Sequence, residues 1–182
     1  MHQPLPFDPI AEASRQWDDH WGTDATASMA AVTSIMRAQQ IVMARLNELL
    51  APLDLTFPRY EALMLLSYSR CGELPLGKIS DRLQVHRASV TNVIDKLASS
   101  GYVERVSHEE DRRTTLARVT ASGKRAARRA TTLLNQAEFG TTPLDSSACE
   151  QIFTLLEPLR HGAGDFELAA EPGYRGRARR SL

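Results

Sequence analysis

The stretch "VHRASVTNVIDKLASSGYVERV", residues 85–106, does most to restrict the fold. Val90, Val93, Ile94 and Leu97 recur every three or four residues, so the segment is a helix with one face to bury. Its first turns carry Arg87, Ala88, Ser89, Thr91 and Asn92, small and polar with a single cation. Gly101 stands where a left-handed C-cap is commonest. Two alternating segments, "YVERVS" and "TTLARVT", follow at once. The charged stretch "HEEDRR" joins them as a hairpin loop too long for a two-residue turn. Upstream, "LGKISDRL" reads as a short helix and "QVH" as a tight turn. Short helix, turn, helix and hairpin in this order form a winged helix-turn-helix.

In that arrangement the second helix enters a DNA major groove about 12 Å wide with its N-terminal residues toward the bases. Bulky side chains there would hold the helix off, and residues 87–92 are slim. Arg87 suits a guanine edge and Asn92 an adenine edge. Ser89 and Thr91 suit bases or phosphates, and Ala88 or the Thr91 methyl suits a thymine methyl. At the hairpin tip, Asp111 beside Arg112 and Arg113 can orient a guanidinium through a charge-assisted hydrogen bond. An arginine so held suits a narrow minor groove. Lys78, Lys96, Arg105 and Arg118 are expected phosphate contacts, and the basic run Lys124, Arg125, Arg128 and Arg129 follows.

The formal net charge is zero, but it is unevenly distributed. Residues 78–129 hold twelve Lys and Arg against six Asp and Glu, while both flanks are acidic. A basic middle matches a polyanion-binding surface, although a solvated face would also produce it.

The remainder reads as helices. Asp8 and Pro9 open one in which Ile10, Ala13, Trp17 and Trp21 share a face until Gly22. Asp24 is the expected cap of a longer helix running to about Ala51. Met29, Val32, Met36, Val42, Met43, Leu46, Leu49 and Leu50 line that helix over more than three heptads. Such a stripe exceeds what one small domain covers, and packing between subunits would use it. Thr56 and Pro58 begin "PRYEALMLLSYS", with Tyr60, Leu63, Met64 and Leu66 inward, and "CGELP" breaks it. Thr120 is a candidate cap for the helix that ends near Gly140. Asp145 is one for a last helix carrying Ile152, Phe153, Leu155, Leu156 and Leu159. The fold class is therefore mainly α with a small β-hairpin wing. Its expected divisions are an accessory helix (1–23), a regulator domain (24–162) and a Gly-, Pro- and Arg-rich tail (163–182). Within the middle part, helices at about 25–51 and 145–160 serve dimerisation and about 53–120 forms the winged lobe.

Residues 53–139 resemble the MarR family of transcriptional regulators, and with the flanking helices the resemblance covers about 25–160. It rests on "LQVHRASVTNVIDKLASSGYVER" and on "DRRTTLARVTASGKR", which together are far more specific than a lone helix-turn-helix. The resemblance implies a homodimer with interleaved first and last long helices, binding a palindromic operator and released by a small-molecule effector, aromatic or anionic. It makes Arg113 the minor-groove arginine, Asp111 its orienting partner and residues 87–92 the base-reading turn. His86 departs from the commoner Ser or Thr at the helix entry, where it would cap less well or touch a phosphate. The effector pocket implied lies between the dimer layer and the DNA lobe, lined by Met36, Arg37, Gln40, Tyr60, Met64 and Tyr68. Arg37 would face an anionic ligand there, or form an inter-helix ion pair.

Two other functions use the same scaffold. A thiol-based redox sensor needs an accessible, low-pKa cysteine. Cys71 and Cys149 are the two cysteines, and the 70 residues before Cys71 contain none. A winged domain also serves as a protein-interaction module. The five histidines are widely separated, with no pair at metal-ligand spacing, so no metal or other cofactor is expected. No Gly-rich phosphate loop or nucleophile–base pattern suggests an enzyme. With 42% hydrophobic residues, no apolar run of about 20 residues and no signal-peptide pattern, the expectation is a globular cytoplasmic protein without a membrane partner.

Overall fold

The computed structural model describes residues 4–107 and 114–167. They divide into two compact units, Met1–Thr141 and Thr142–Leu182.

In the first unit, α1 (Pro9–Trp21) starts as the sequence predicts: Asp8 Oδ1 accepts the Ile10 N–H at 2.9 Å and Pro9 occupies the first turn. It packs on α2 without burying any residue fully. Trp17 and Trp21 lie with ring centroids 6.5 Å apart, and Trp21 stays 78% exposed. The expected Asp24 cap does not form. α2 (Thr26–Leu50) begins after Ala25, with no side-chain cap, and the Thr26 hydroxyl donates to Asp18 of α1 instead. A residue across the helix hairpin competes with the local carboxylate, and no local pattern in the sequence encodes that. At 25 residues, α2 is roughly 37 Å long. Leu46 and Leu50 near its end are buried, whereas all of residues 31–40 are exposed.

A 3-10 turn (Ala51–Leu53) leads into the winged lobe: α3 (Phe57–Tyr68), β1 (Glu73–Pro75), α4 (Leu76–Leu83), α5 (Arg87–Ser99), β2 (Val103–Ser107), β3 (Thr115–Val119) and α6 (Ala121–Gln136). The sequence reading has a hairpin of two strands; the structure has a three-stranded antiparallel sheet in the order β1-β3-β2. β1 pairs Glu73 with Arg118, Leu74 with Ala117 and Pro75 with Leu116. Three residues ending in proline show no alternation to detect, and the proline is tolerated because β1 is an edge strand. Leu50, Leu63, Leu66, Ile79, Ile94, Leu97 and Leu134 form the dry centre of the lobe.

The exit from α5 sets the wing's position. Gly101 takes φ +70, its N–H bonds to Ala98 O at 3.0 Å, and the Tyr102 N–H reaches back to Leu97 O at 2.9 Å. This paired closure of a helix end needs a left-handed residue, which glycine adopts without a Cβ clash. β2 therefore leaves in one direction. Thr120 then caps α6, its Oγ1 accepting the Gly123 N–H at 3.0 Å.

The second unit contains α7 (Ser146–Gly162), capped by Asp145, whose Oδ1 accepts the Ala148 N–H at 2.8 Å. Within it Ile152, Phe153, Leu155 and Leu159 are exposed.

Candidate nucleic-acid interface

α5 separates its two kinds of side chain cleanly. Val90, Ile94 and Leu97 are buried to 1% or less, while Arg87, Ala88, Ser89, Thr91, Asn92 and Lys96 are all exposed. His86 is the N-cap residue: its Nδ1 accepts the Ala88 N–H at 3.3 Å. A ring nitrogen thus stands in for the usual hydroxyl, and it must be the unprotonated nitrogen of the ring. Replacing His86 by Ala is expected to cost about 1 kcal/mol of stability and His86→Ser to restore it, read from urea midpoints. The Thr91 hydroxyl donates back to Arg87 O at 3.2 Å, so its proton is engaged while its lone pairs remain free for a partner. The Arg87 guanidinium lies along α4, with Nη2 4.0 Å from where a Cβ on Gly77 would stand. To read a guanine edge it would have to swing off that helix.

Two residues expected at phosphates have partners within the protein. Arg105 on β2 bonds Asp95 of α5 at 2.7 Å, and Arg118 on β3 bonds Glu73 of β1 at 2.6 Å. Each pair ties the wing to a neighbouring element: the first to the helix, the second across the β1–β3 ladder. The sequence reading misses both because the partners lie ten and forty-five positions apart, and what joins them is the β-sheet register and the turn at Gly101. Lys78 is exposed on α4, and Lys124, Arg125, Arg128 and Arg129 are exposed on α6. His108 and the wing residues Asp111, Arg112 and Arg113 lie outside the described residues, as do the tail arginines Arg175, Arg177, Arg179 and Arg180.

The residues expected at an effector pocket fall in several places among the described residues. Met64 and Tyr68 of α3 line a cavity of about 530 Å³ whose far wall is α6, with Lys124, Arg128 and Thr131. Tyr60 instead belongs to the core: it is 6% exposed, and its hydroxyl sits 3.0 Å from Thr131 Oγ1. An aromatic ring with a polar tip can be buried once that tip has a partner. Arg37 lines a separate space of about 550 Å³ with Leu5, Phe7 and Ile10. Met36 and Gln40 are exposed on the middle of α2 and line neither space.

The sequence reading gives no role to Glu61. It lies on α3 beside the start of α5, and partial burial raises its carboxyl above the usual glutamate range. Among the described residues no three His, Cys, Asp or Glu are grouped to hold a metal ion. Nor is any helix among them long and apolar enough to cross a membrane. Cys71 is an exposed free thiol, and Cys149 a partly buried one.

Comparison with known proteins places this geometry. A profile described as the MarR family matches residues 55–115, from the start of the winged lobe into β3. Among curated proteins, the chain is 33% identical over 76 residues to an HTH-type transcriptional regulator, YfiV, of Bacillus subtilis. It is 33% identical over 79 residues to the multiple antibiotic resistance protein MarR of Escherichia coli. These matches take in 42% and 43% of this chain, and 46% and 53% of the two relatives, so the chain spans about half the length of each. Among solved structures, a variant of Escherichia coli MarR in complex with operator DNA is similar at 25% identity and a TM-score of 0.64. That likeness covers 75% of this chain and 97% of the other. Sco5413, a MarR family transcriptional regulator from Streptomyces coelicolor, is 46% identical with a TM-score of 0.73, covering 78% of this chain and 99% of that one. An identity of 46% sustained over nearly all of a solved family member, on a lobe with the same helix-turn-helix and wing, means that the chain belongs to the MarR family of transcriptional regulators.

Proposed function

We propose that this chain is a homodimeric, sequence-specific DNA-binding repressor, released from a palindromic operator by a small anionic or aromatic effector. The observation that carries the reading is the first half of α5, where Ala88, Ser89, Thr91 and Asn92 are small and exposed around the single cation Arg87, beside a β-hairpin. In this reading α5 enters the major groove, with Ala88, Ser89, Thr91 and Asn92 toward base edges and Arg87 recruited from its place along α4. Lys78, Lys96 and His86 meet phosphates, which adds affinity without sequence information. Arg112 and Arg113, oriented by Asp111, extend the wing into the minor groove. Arg105 keeps the wing at a fixed angle to α5 through Asp95. The family relative solved with operator DNA supports this assignment.

Dimerisation uses the apolar residues that each unit leaves in solvent. On α2 these include Val32, Ile35, Met36 and Ile41, and on α7 Ile152, Phe153, Leu155 and Leu159. Apolar exposure on this scale usually marks an interface. For the effector, the α3–α6 cavity offers two cations, Lys124 and Arg128, beside the ring of Tyr68 and the thioether of Met64. A ligand there releases DNA by as much as it prefers the lobe spacing that does not fit the operator.

The test is capture of sheared genomic DNA by the purified protein at moderate salt, followed by sequencing. Enrichment of an inverted repeat with half-sites about 34–36 Å apart is the expected result. Uniform recovery with no motif would leave nonspecific binding and sink the reading.

A further inference from the structure

The N-terminal helix α1 lies outside residues 55–115, the part of the chain that matches the family profile. Its two sides differ. Glu12, Arg15, Gln16 and Asp19 bond to one another along one of them, with Arg15 Nη2 2.7 Å from Glu12 Oε1 and Nη1 3.2 Å from Asp19 Oδ2. That side is the solvated face. Ile10, Trp17 and Trp21 form a row on the opposite side, and α2 covers the row only in part. Trp17 remains 37% exposed and Trp21 78%. Leu5 and Phe7, just ahead of the helix, are more than half exposed.

A helix this short holds itself poorly in water, and α1 buries no residue fully. Its tryptophans leave a large apolar surface without a partner. The position of that surface says what covers it. Arg37, at the middle of α2, lines a space of about 550 Å³ with Leu5, Phe7 and Ile10. The N-terminal segment thus reaches the stretch of α2 where Val32, Ile35, Met36 and Ile41 stand in solvent, the residues assigned above to dimerisation. Charge argues against other occupants. Asp8, Glu12, Asp18 and Asp19 outnumber Arg15 within residues 8–21, and such a segment repels DNA and anionic lipid alike.

We propose that α1 and the segment before it dock on a second copy of this chain, as an added layer of the dimer interface. The inference rests on the homodimer reading above and goes beyond it, because that interface uses α2 and α7 alone. Leu5, Phe7, Trp17 and Trp21 meet apolar side chains of the second copy, while Glu12, Arg15 and Asp19 keep facing water. Tryptophan is among the residues that most often dominate an interface. Here it slows the parting of the two copies, and so of the two winged lobes that read one operator.

Trp17 and Trp21 are the two tryptophans of the chain, so tryptophan emission reports α1 alone. Sedimentation of the full chain first establishes whether it is a dimer. Acrylamide quenching of Trp17→Phe, which leaves Trp21 as the sole emitter, is then compared with that of free N-acetyltryptophanamide. A side chain 78% exposed would be quenched nearly as fast as the free indole, and a docked one is expected to be quenched several-fold more slowly. Exchange of subunits between dye-labelled and unlabelled chains supplies the second reading. Trp21→Ala is expected to speed exchange about tenfold, and Trp21→Phe, which keeps an aromatic ring, to restore most of the loss. Circular dichroism checks that both variants keep their helices. A dimer in which Trp21 is quenched like the free indole would overturn the docking and leave the homodimer intact. Shielding of Trp21 with no change of exchange in Trp21→Ala would overturn it too, because another part of the same chain would then cover the ring. A chain that sediments as a monomer would sink the homodimer reading and this one with it.

Discussion

Gly123→Ala is expected to destabilise the protein by about 3 kcal/mol, a large share of the roughly 5–15 kcal/mol that holds a domain together. Gly123 lies inside α6, where alanine ordinarily improves a helix by about 1 kcal/mol. Here the added Cβ would come 2.1 Å from the Tyr102 carbonyl oxygen, 3.0 Å from its carbon and 3.0 Å from Val119 Cγ2. Two of those atoms are backbone, so no rotamer change relieves the contact. The same carbonyl accepts the Thr120 N–H at 3.0 Å and the Thr120 hydroxyl at 3.2 Å, and Thr120 is the cap of α6. Pushing Tyr102 away therefore loosens the cap, the start of β2 and the exit from α5 together. Gly77→Ala is the control, because its Cβ would meet nothing closer than the tip of Arg87 at 4.0 Å. It should leave stability unchanged or raise it by up to about 1 kcal/mol. Urea denaturation of both variants decides the matter. A Gly123→Ala midpoint close to wild type would mean that the α6–β2 junction yields at little cost.

That junction also shows what the sequence makes legible. The early glycine of "TASGKR" reads as part of a family signature, and the structure supplies its cause: close approach of α6 to the chain leaving α5. Local signals predict well where the physics is local. Asp8, Thr120 and Asp145 cap their helices through side-chain bonds to N–H groups two or three residues on. Gly101 closes α5 through bonds spanning three and five residues. The periodic burial of Val90, Ile94 and Leu97 likewise follows from spacing alone.

The misses share a different origin. β1 exists because residue 74 meets residue 117, and no window of a few residues contains both. Thr26 prefers Asp18 to a local cap for the same reason. Arg105 and Arg118 carry the charge expected of phosphate contacts, but charge does not encode whether an internal carboxylate reaches it first. Tyr60 joins the core because its hydroxyl meets Thr131 of α6, seventy-one positions away, a partner that its helical face does not reveal.

On operator DNA recovered by the capture experiment, Ala88→Phe is expected to reduce affinity by more than any single loss of a base contact. Ala88 is exposed at the first turn of α5, so a larger side chain there fits the folded protein, and surface changes of this kind stay within about 0.5 kcal/mol of wild-type stability. In the groove it has no such room. A phenyl ring at the leading turn would hold α5 away from the base edges and remove several contacts at once. Asn92→Ala removes one contact instead, and should cost about 1–3 kcal/mol, roughly five- to 150-fold, concentrated at a single base position. Lys96→Ala, as a phosphate contact, should weaken all sequences about equally and lower the salt slope by about one. The pattern across the three variants carries the information: bulk lowers everything steeply, the amide lowers one base, and the lysine changes the salt dependence. Ala88→Phe binding operator as tightly as wild type would show that α5 does not lie in the major groove, whatever the wing does.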